Sequence, residues 1–157
     1  AAAIAPLLAI ALLAGCASWE EEVVFPENFR DSYTKVVDCR KSAHPAAAYV
    51  ETWMSPAAKA KWDEMAVQLA AADTSTTVLF PDGAIIVKVQ FDDSKCEELA
   101  NYAAMKKLAP ETDAKAGDWK WQFIGDDGTC NNCDVGTDCA SCHSACKPAP
   151  YMCTNPE

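Results

Sequence analysis

The chain has 157 residues, a formal charge of −10 from 13 basic and 23 acidic side chains, and nine cysteines. That length allows one domain with a real core, and the acidity excludes a nucleic-acid binder, which needs a basic patch. Nine cysteines exceed what a reducing compartment tolerates unless cofactors claim some of them, so the composition points to an exported protein.

The first 15 residues, AAAIAPLLAIALLAG, are uncharged and apolar, with the length of a signal-peptide h-region rather than of a membrane span. They end in Leu13-Ala14-Gly15-Cys16, which resembles a bacterial lipobox. That resemblance implies cleavage before Cys16, lipidation of its thiol, and a protein anchored by lipid on the periplasmic side of a bacterial membrane. An ordinary signal peptide followed by an incidental cysteine is the alternative. No initiator Met or basic n-region precedes the run, which points to a start further upstream. Residues 1–15 are therefore set apart as signal peptide, 16–24 as a polar tether containing SWEEE, and 25–157 as the folded domain.

Pro26 to Val37 carries Phe29, Tyr33, Val36 and Val37 at i, i+4, i+7 and i+8, a spacing that predicts a short amphipathic helix. Pro45 argues against helix at His44. Tyr49 to Met54 (YVETWM) is aromatic and β-branched and reads as a strand. Ser55 then suits a helix cap with Pro56 in the first position, and Trp62, Met65, Ala66 and Leu69 give one apolar face until about Ala72. Thr76 to Phe80 and Ala84 to Phe91 read as strands joined through Pro81-Asp82-Gly83. Asn101 to Leu108 favours helix by propensity. Trp119, Trp121 and Phe123 alternate with Lys120, Gln122 and Ile124 in a strand with one aromatic face. From Gly125 onward the chain reads as loop, holding six of the nine cysteines.

Within that loop stands Cys139-Ala140-Ser141-Cys142-His143. Two cysteines separated by two residues and followed by histidine form the attachment signature of a c-type haem. The thiols add to the two vinyl groups on one edge of the porphyrin, and the imidazole binds the iron as proximal ligand. A zinc site built from Cys130, Cys133, Cys139 and Cys142 is the first rival, but only five residues separate the two pairs. An iron–sulfur run ending at Cys146 is the second, and it lacks one cysteine at the required spacing and leaves His143 unused.

With those pieces in order, the chain resembles the cytochrome P-460 family, whose relatives include cytochrome c′-beta. The matching segments run from Phe25 to Thr154: FPENFRDSY, HPAAAYVETWMSPAAKAKW, LFPDGAIIVK, YAAMKKLAP, DWKWQFIGDDG and CASCH with a short YMCT end. The resemblance implies an α+β fold, mainly β: a twisted antiparallel sheet with a few packed helices, a C-terminal Cys-rich haem-binding loop, and assembly as a homodimer. It turns Asn101 to Leu108 into a strand. It also implies that Lys88, which ends the Pro81-Asp82-Gly83-Ala84-Ile85-Ile86-Val87-Lys88 stretch, is joined covalently to a porphyrin meso carbon. Such a bond would tune the haem by distorting the macrocycle.

The implied reaction is oxidation of hydroxylamine or a related small nitrogen species at an open distal iron position, with electrons passing to a redox partner. A distal carboxylate takes substrate protons; Asp134 is the candidate, with Asp126, Asp127 and Asp138 as rivals. His44 and the methionines stand at no spacing that ties them to the iron. No arginine stands on Tyr49 to Met54, where some members carry one toward the haem; Val50 is nearest that place. The alternatives are a non-enzymatic binder of nitric oxide or carbon monoxide, like cytochrome c′-beta, and a periplasmic electron carrier with a sixth protein ligand. With Cys16 assigned to lipid and two cysteines to haem, six remain, and 15 pairings are open among them. The order of the elements suggests Cys39 with Cys96, and Cys130 and Cys133 with Cys146 and Cys153 in some order.

Overall fold

A computed structural model describes residues 22–44, 47–73 and 75–156. The apolar leader 1–15 and the proposed lipidation site Cys16 lie outside the described residues. Among those described, six strands form one antiparallel sheet in chain order: β1 (Thr34–Lys41), β2 (Tyr49–Met54), β3 (Ile85–Phe91), β4 (Leu99–Lys107), β5 (Trp119–Gly125) and β6 (Cys130–Asn132). Two helices accompany them, α1 (Pro56–Ala70) between β2 and β3, and α2 (Gly136–His143) after β6. The fold is α+β and mainly β.

The central strand β3 shows why the sheet has two cores. Its sequence, IIVKVQF, has apolar residues on both faces, as befits a strand covered on both sides. Ile86 points with Met54, Met105 and Trp121 toward α1, whose Ala58, Trp62 and Met65 are buried against that face. Val87, Val89 and Phe91 point the other way, to Ala104, Ile124 and the N-terminal aromatics Phe25 and Phe29. Gln122 is buried on β5 and ties down the N-terminal segment, accepting from Val24 N at 2.7 Å and donating to the Glu22 carbonyl at 2.9 Å.

Three local expectations give way to tertiary structure. The helix expected over Pro26 to Val37 shrinks to one 3-10 turn, Phe29–Asp31. Phe29 packs edge-on to Trp53 and Tyr102 with centroids 5.8 and 6.2 Å apart, and the β-branched run from Thr34 then pairs with β2. Cross-strand pairing overrides a weak helical periodicity. Thr76 to Phe80 is not a strand. Val78 and Phe80 are buried while Leu79 is 68% exposed, so the alternation survives without a ladder partner. The segment covers the α1 face, where Phe80 meets Trp119 edge-on at 5.7 Å. The region after Gly125 is not all loop, because it contains β6 and α2.

The remaining elements follow the sequence. Asn101 to Leu108 lies largely in β4, as the family resemblance implies, and not in the helix its propensity favours. Pro56 opens α1, but the Ser55 hydroxyl does not cap it. It accepts from Ile85 N at 2.9 Å, while Ser55 N donates to the Ile85 carbonyl at 3.0 Å. Ser55 thus fastens the start of α1 to the start of β3. Cys39 pairs with Cys96, linking β1 to the β3–β4 turn. The other expected cross-pairing is corrected: Cys130 bonds Cys133, and Cys146 bonds Cys153. Tight turns bring these local partners to Cα separations of 5.6 and 5.0 Å, within the reach a disulfide needs.

Replacing Ser55 with alanine removes the acceptor for Ile85 N and should cost about 1 kcal/mol or somewhat more in urea unfolding. Val67→Ala, at a position 71% exposed on the outer side of α1, should change the midpoint negligibly.

Candidate functional site

The CASCH motif lies in α2, so Cys139, Cys142 and His143 stand at i, i+3 and i+4 on one helix face. Cys139 is half-buried and Cys142 exposed, and both are free thiols beside the three disulfides. The helix is docked on the sheet by Val135 N, which donates to the Trp121 carbonyl at 3.5 Å. Gly136 sits against the Ala116 side chain, where an added Cβ would come within 3.3 Å.

His143 is held from several sides. Its Nδ1 lies 2.9 Å from the Tyr151 carbonyl oxygen, and Tyr151 N donates back to the His143 carbonyl at 3.0 Å. A carbonyl can only accept, so Nδ1 carries the proton and Nε2 keeps its lone pair in the neutral ring. Trp121 packs edge-on to the imidazole at 4.9 Å. Gly117 makes this clamp possible: its φ is +66°, and a Cβ there would collide with the Tyr151 ring.

Opposite the motif is the α1-facing side of the sheet. In register, Thr52, Lys88, Ala103 and Phe123 form one row across four strands, beside the Ile86–Met105–Trp121 row. Between these rows and α2 lies a small, mostly apolar cavity of about 80 Å³, lined by Lys88, Gln90, Phe123, Cys139 and His143 among others. It adjoins a wider cleft of about 640 Å³, which shares His44, Lys88, Cys139 and His143 and adds Arg40, Lys41, Asp138 and Cys142. The structure therefore brings Lys88, Cys139, Cys142 and His143 to one place.

Cations dominate that place in an acidic protein. Burial, with a smaller push from Arg40, holds the Lys88 amine below the usual lysine range, and no carboxylate pairs with it among the described residues. Burial also lowers His143, assisted by Lys88 and His44 and opposed by the Tyr151 hydrogen bond. His44 is lowered by burial and by Lys88. The Cys139 thiol is pushed up by burial, with Asp138 and Cys142 adding to it.

Two residues escaped the sequence reading. His44, in the loop after β1, lines both spaces; the signal for it was only that it is the second of two histidines. Arg40 stands opposite Val50 in the β1–β2 register and lines the cleft, so an arginine comes from the neighbouring strand where β2 offers none. Asp134, the distal-carboxylate candidate, is not brought to this place. It is exposed in the turn before α2, its own N–H bound to Asn132 Oδ1, and it lines neither space. Asp126 and Asp127 belong to a groove with Phe25 and Tyr102, whose side chains lie in the other core. Of the four acidic candidates, Asp138 alone reaches the cleft. No protein-family model matches the chain, and no curated protein matches it.

Two outcomes follow for the haem-free protein. Cys142 should alkylate faster than Cys139 with iodoacetamide, and Asp138→Asn should quicken Cys139 by lowering its thiol pKa. Lys88→Met should raise the melting temperature by a few degrees near neutral pH. The advantage should shrink as pH climbs toward the ordinary lysine value of about 10.4. The sign follows from the lowered folded-state pKa: in that window the unfolded chain binds more protons, so wild-type stability gains as pH rises.

Proposed function

We propose that this chain is an exported, lipid-anchored c-type haemoprotein of the cytochrome P-460 kind, oxidising hydroxylamine or a related small nitrogen compound. One observation carries the reading: two free thiols and a histidine with a bare Nε2 share a helix face over a cavity that a partnerless, desolvated lysine also lines. The residues fit haem. Gln90 Oε1 and Trp121 Nε1, both on cavity-lining residues, are buried without hydrogen-bond partners, which suits a site built to receive another group.

Cys139 and Cys142 would hold the group by thioethers. Each thiol would be joined to one vinyl carbon with its hydrogen passing to the other, with no change in electron count. His143 Nε2 would ligate the iron, its ring oriented by the Tyr151 carbonyl as metal-bound imidazoles are commonly oriented by a second hydrogen bond. When bound, the haem supplies one-electron redox chemistry. Lys88 is the residue for the ring-edge cross-link. Its amine would hold the ring edge by a carbon–nitrogen bond, a two-electron oxidation for which a separate oxidant such as a peroxide would be needed. Arg40 and Lys41 line the cleft and complement anionic groups there. Asp138 takes the proton-accepting role first given to Asp134. Electrons would leave to a separate redox protein.

Two other readings rest on specific observations. The apolar wall around Ile86, Ala103 and Phe123 suits nitric oxide or carbon monoxide. His44, lining the same cavity, suits an electron carrier in which it is the sixth ligand.

Mass spectrometry of the denatured exported protein should show covalent haem, and the Cys139→Ser, Cys142→Ser double variant should lose it. His143→Ala should keep the thioethers but alter iron ligation. Hydroxylamine turnover with an electron acceptor should accompany a red-shifted ferrous Soret band, and Lys88→Ala should remove both. A wild-type protein without haem overturns the reading. A low-spin six-coordinate spectrum that turns high-spin in His44→Ala favours the carrier.

A further inference from the structure

Gln90 is the most anomalous polar residue of the sheet. It is 2% exposed, its Oε1 has no partner, and it lines the cavity two residues beyond Lys88 on the same face of β3. Directly across in register stands Asn101, whose buried Oδ1 is also without a partner. A buried amide oxygen that exchanges water for nothing is costly, and native proteins keep few of them. Two adjacent ones on one sheet face, at least one on a cavity-lining residue, amount to an acceptor site. Of the other polar lining residues, Gln122 already accepts from Val24 N and donates to the Glu22 carbonyl, and the Trp121 indole can only donate, so apart from His44 and the motif itself little there competes to accept a ligand proton.

We infer that Gln90, backed by Asn101, is the acceptor that selects a small nitrogen ligand bearing N–H or O–H groups over a diatomic gas. Hydroxylamine can donate to Gln90 Oε1 while its lone pair turns elsewhere. Nitric oxide and carbon monoxide have no hydrogen to donate and leave the oxygen unsatisfied. A site that hydrogen-bonds its ligand discriminates strongly against an analogue lacking the donor, because its own buried polar group is then stranded. Gln90 acts by positioning and selection, and transfers no proton. The inference rests on the haem reading above, and it separates that reading's substrate class from the gas-binding alternative.

The test uses the haem-loaded protein, with hydroxylamine and nitric oxide each titrated against the ferric haem by absorbance. Gln90→Leu should weaken hydroxylamine roughly tenfold, as expected for one lost buried hydrogen bond, and change nitric oxide by less than about twofold. Parallel shifts for both ligands, or none for either, overturn the inference and leave the haem reading intact. If Gln90→Leu does not load haem, Gln90→Asn, which keeps the amide but withdraws it by one methylene, must show the same selective loss. Unselective binding by that variant refutes the proposal equally. Absence of covalent haem from the wild type overturns the parent reading instead.

Discussion

The site depends on the hydrogen bond between His143 Nδ1 and the Tyr151 carbonyl. It sets the tautomer, aims the ring, and commits Nε2 to whatever enters the cavity. The bond exists because the tail after α2 turns back, with Cys146 bonded to Cys153 around it. The turn places Tyr151 over Gly117, where only a residue without a side chain leaves room for the phenol ring. The His143 ring is therefore positioned by a glycine 26 residues earlier in the chain. Trp121 completes the arrangement from β5, touching the imidazole with its edge while its own N–H stays buried and unmatched.

Sheet register does the corresponding work on the opposite wall. A side chain two residues along a strand returns to the same face, so Ile86, Lys88 and Gln90 present an apolar contact, an amine and an amide in sequence. A slip of one residue would exchange them for Val87, Val89 and Phe91 and set three apolar groups where the amine and the amide now stand. The Ser55 contacts to Ile85 resist that slip at the start of the strand. Lys88 carries the electrostatic consequence of its row. Desolvation lowers its pKa, and it in turn lowers those of His44 and His143.

Much of this was legible in the sequence, for reasons that differ by element. β2, β3 and β5 announced themselves because β-branched and aromatic residues sit on surfaces buried in the finished sheet. CASCH could be singled out by its spacing with no knowledge of the fold, and the structure sets Cys139, Cys142 and His143 on one face of α2. β1 was misread because Phe29 and Tyr33 do make a one-turn contact at 5.8 Å, and the periodicity cannot say that the chain then changes direction. TTVLF was misread because alternation records which side chains are buried, and Val78 and Phe80 are buried without any strand beside them. Arg40 and His44 were invisible for a further reason: their importance comes from the register of β1 against β2 and from the loop between them. Asp134 lies away from both spaces because five residues along the chain say nothing about which way a turn faces. The disulfides divide in the same way, since the distant pair followed from element order and the two local ones from turns that composition does not specify.

The two borders of the sheet bear on how copies of this protein can meet. One border is β1, whose pairing with β2 slips twice, between Lys35 and Val37 and between Val37 and Arg40. It also carries Lys35, Asp38, Arg40 and Lys41. The other border is β6, only three residues long. An irregular, charged strand and a very short one are poor templates for adding another strand, which is how natural sheets avoid growing into aggregates. Self-association that prolongs the ladder is thereby discouraged at both ends. Two copies that associate would have to do so through side chains on their faces and loops, leaving the backbone ladder of each one closed to the other.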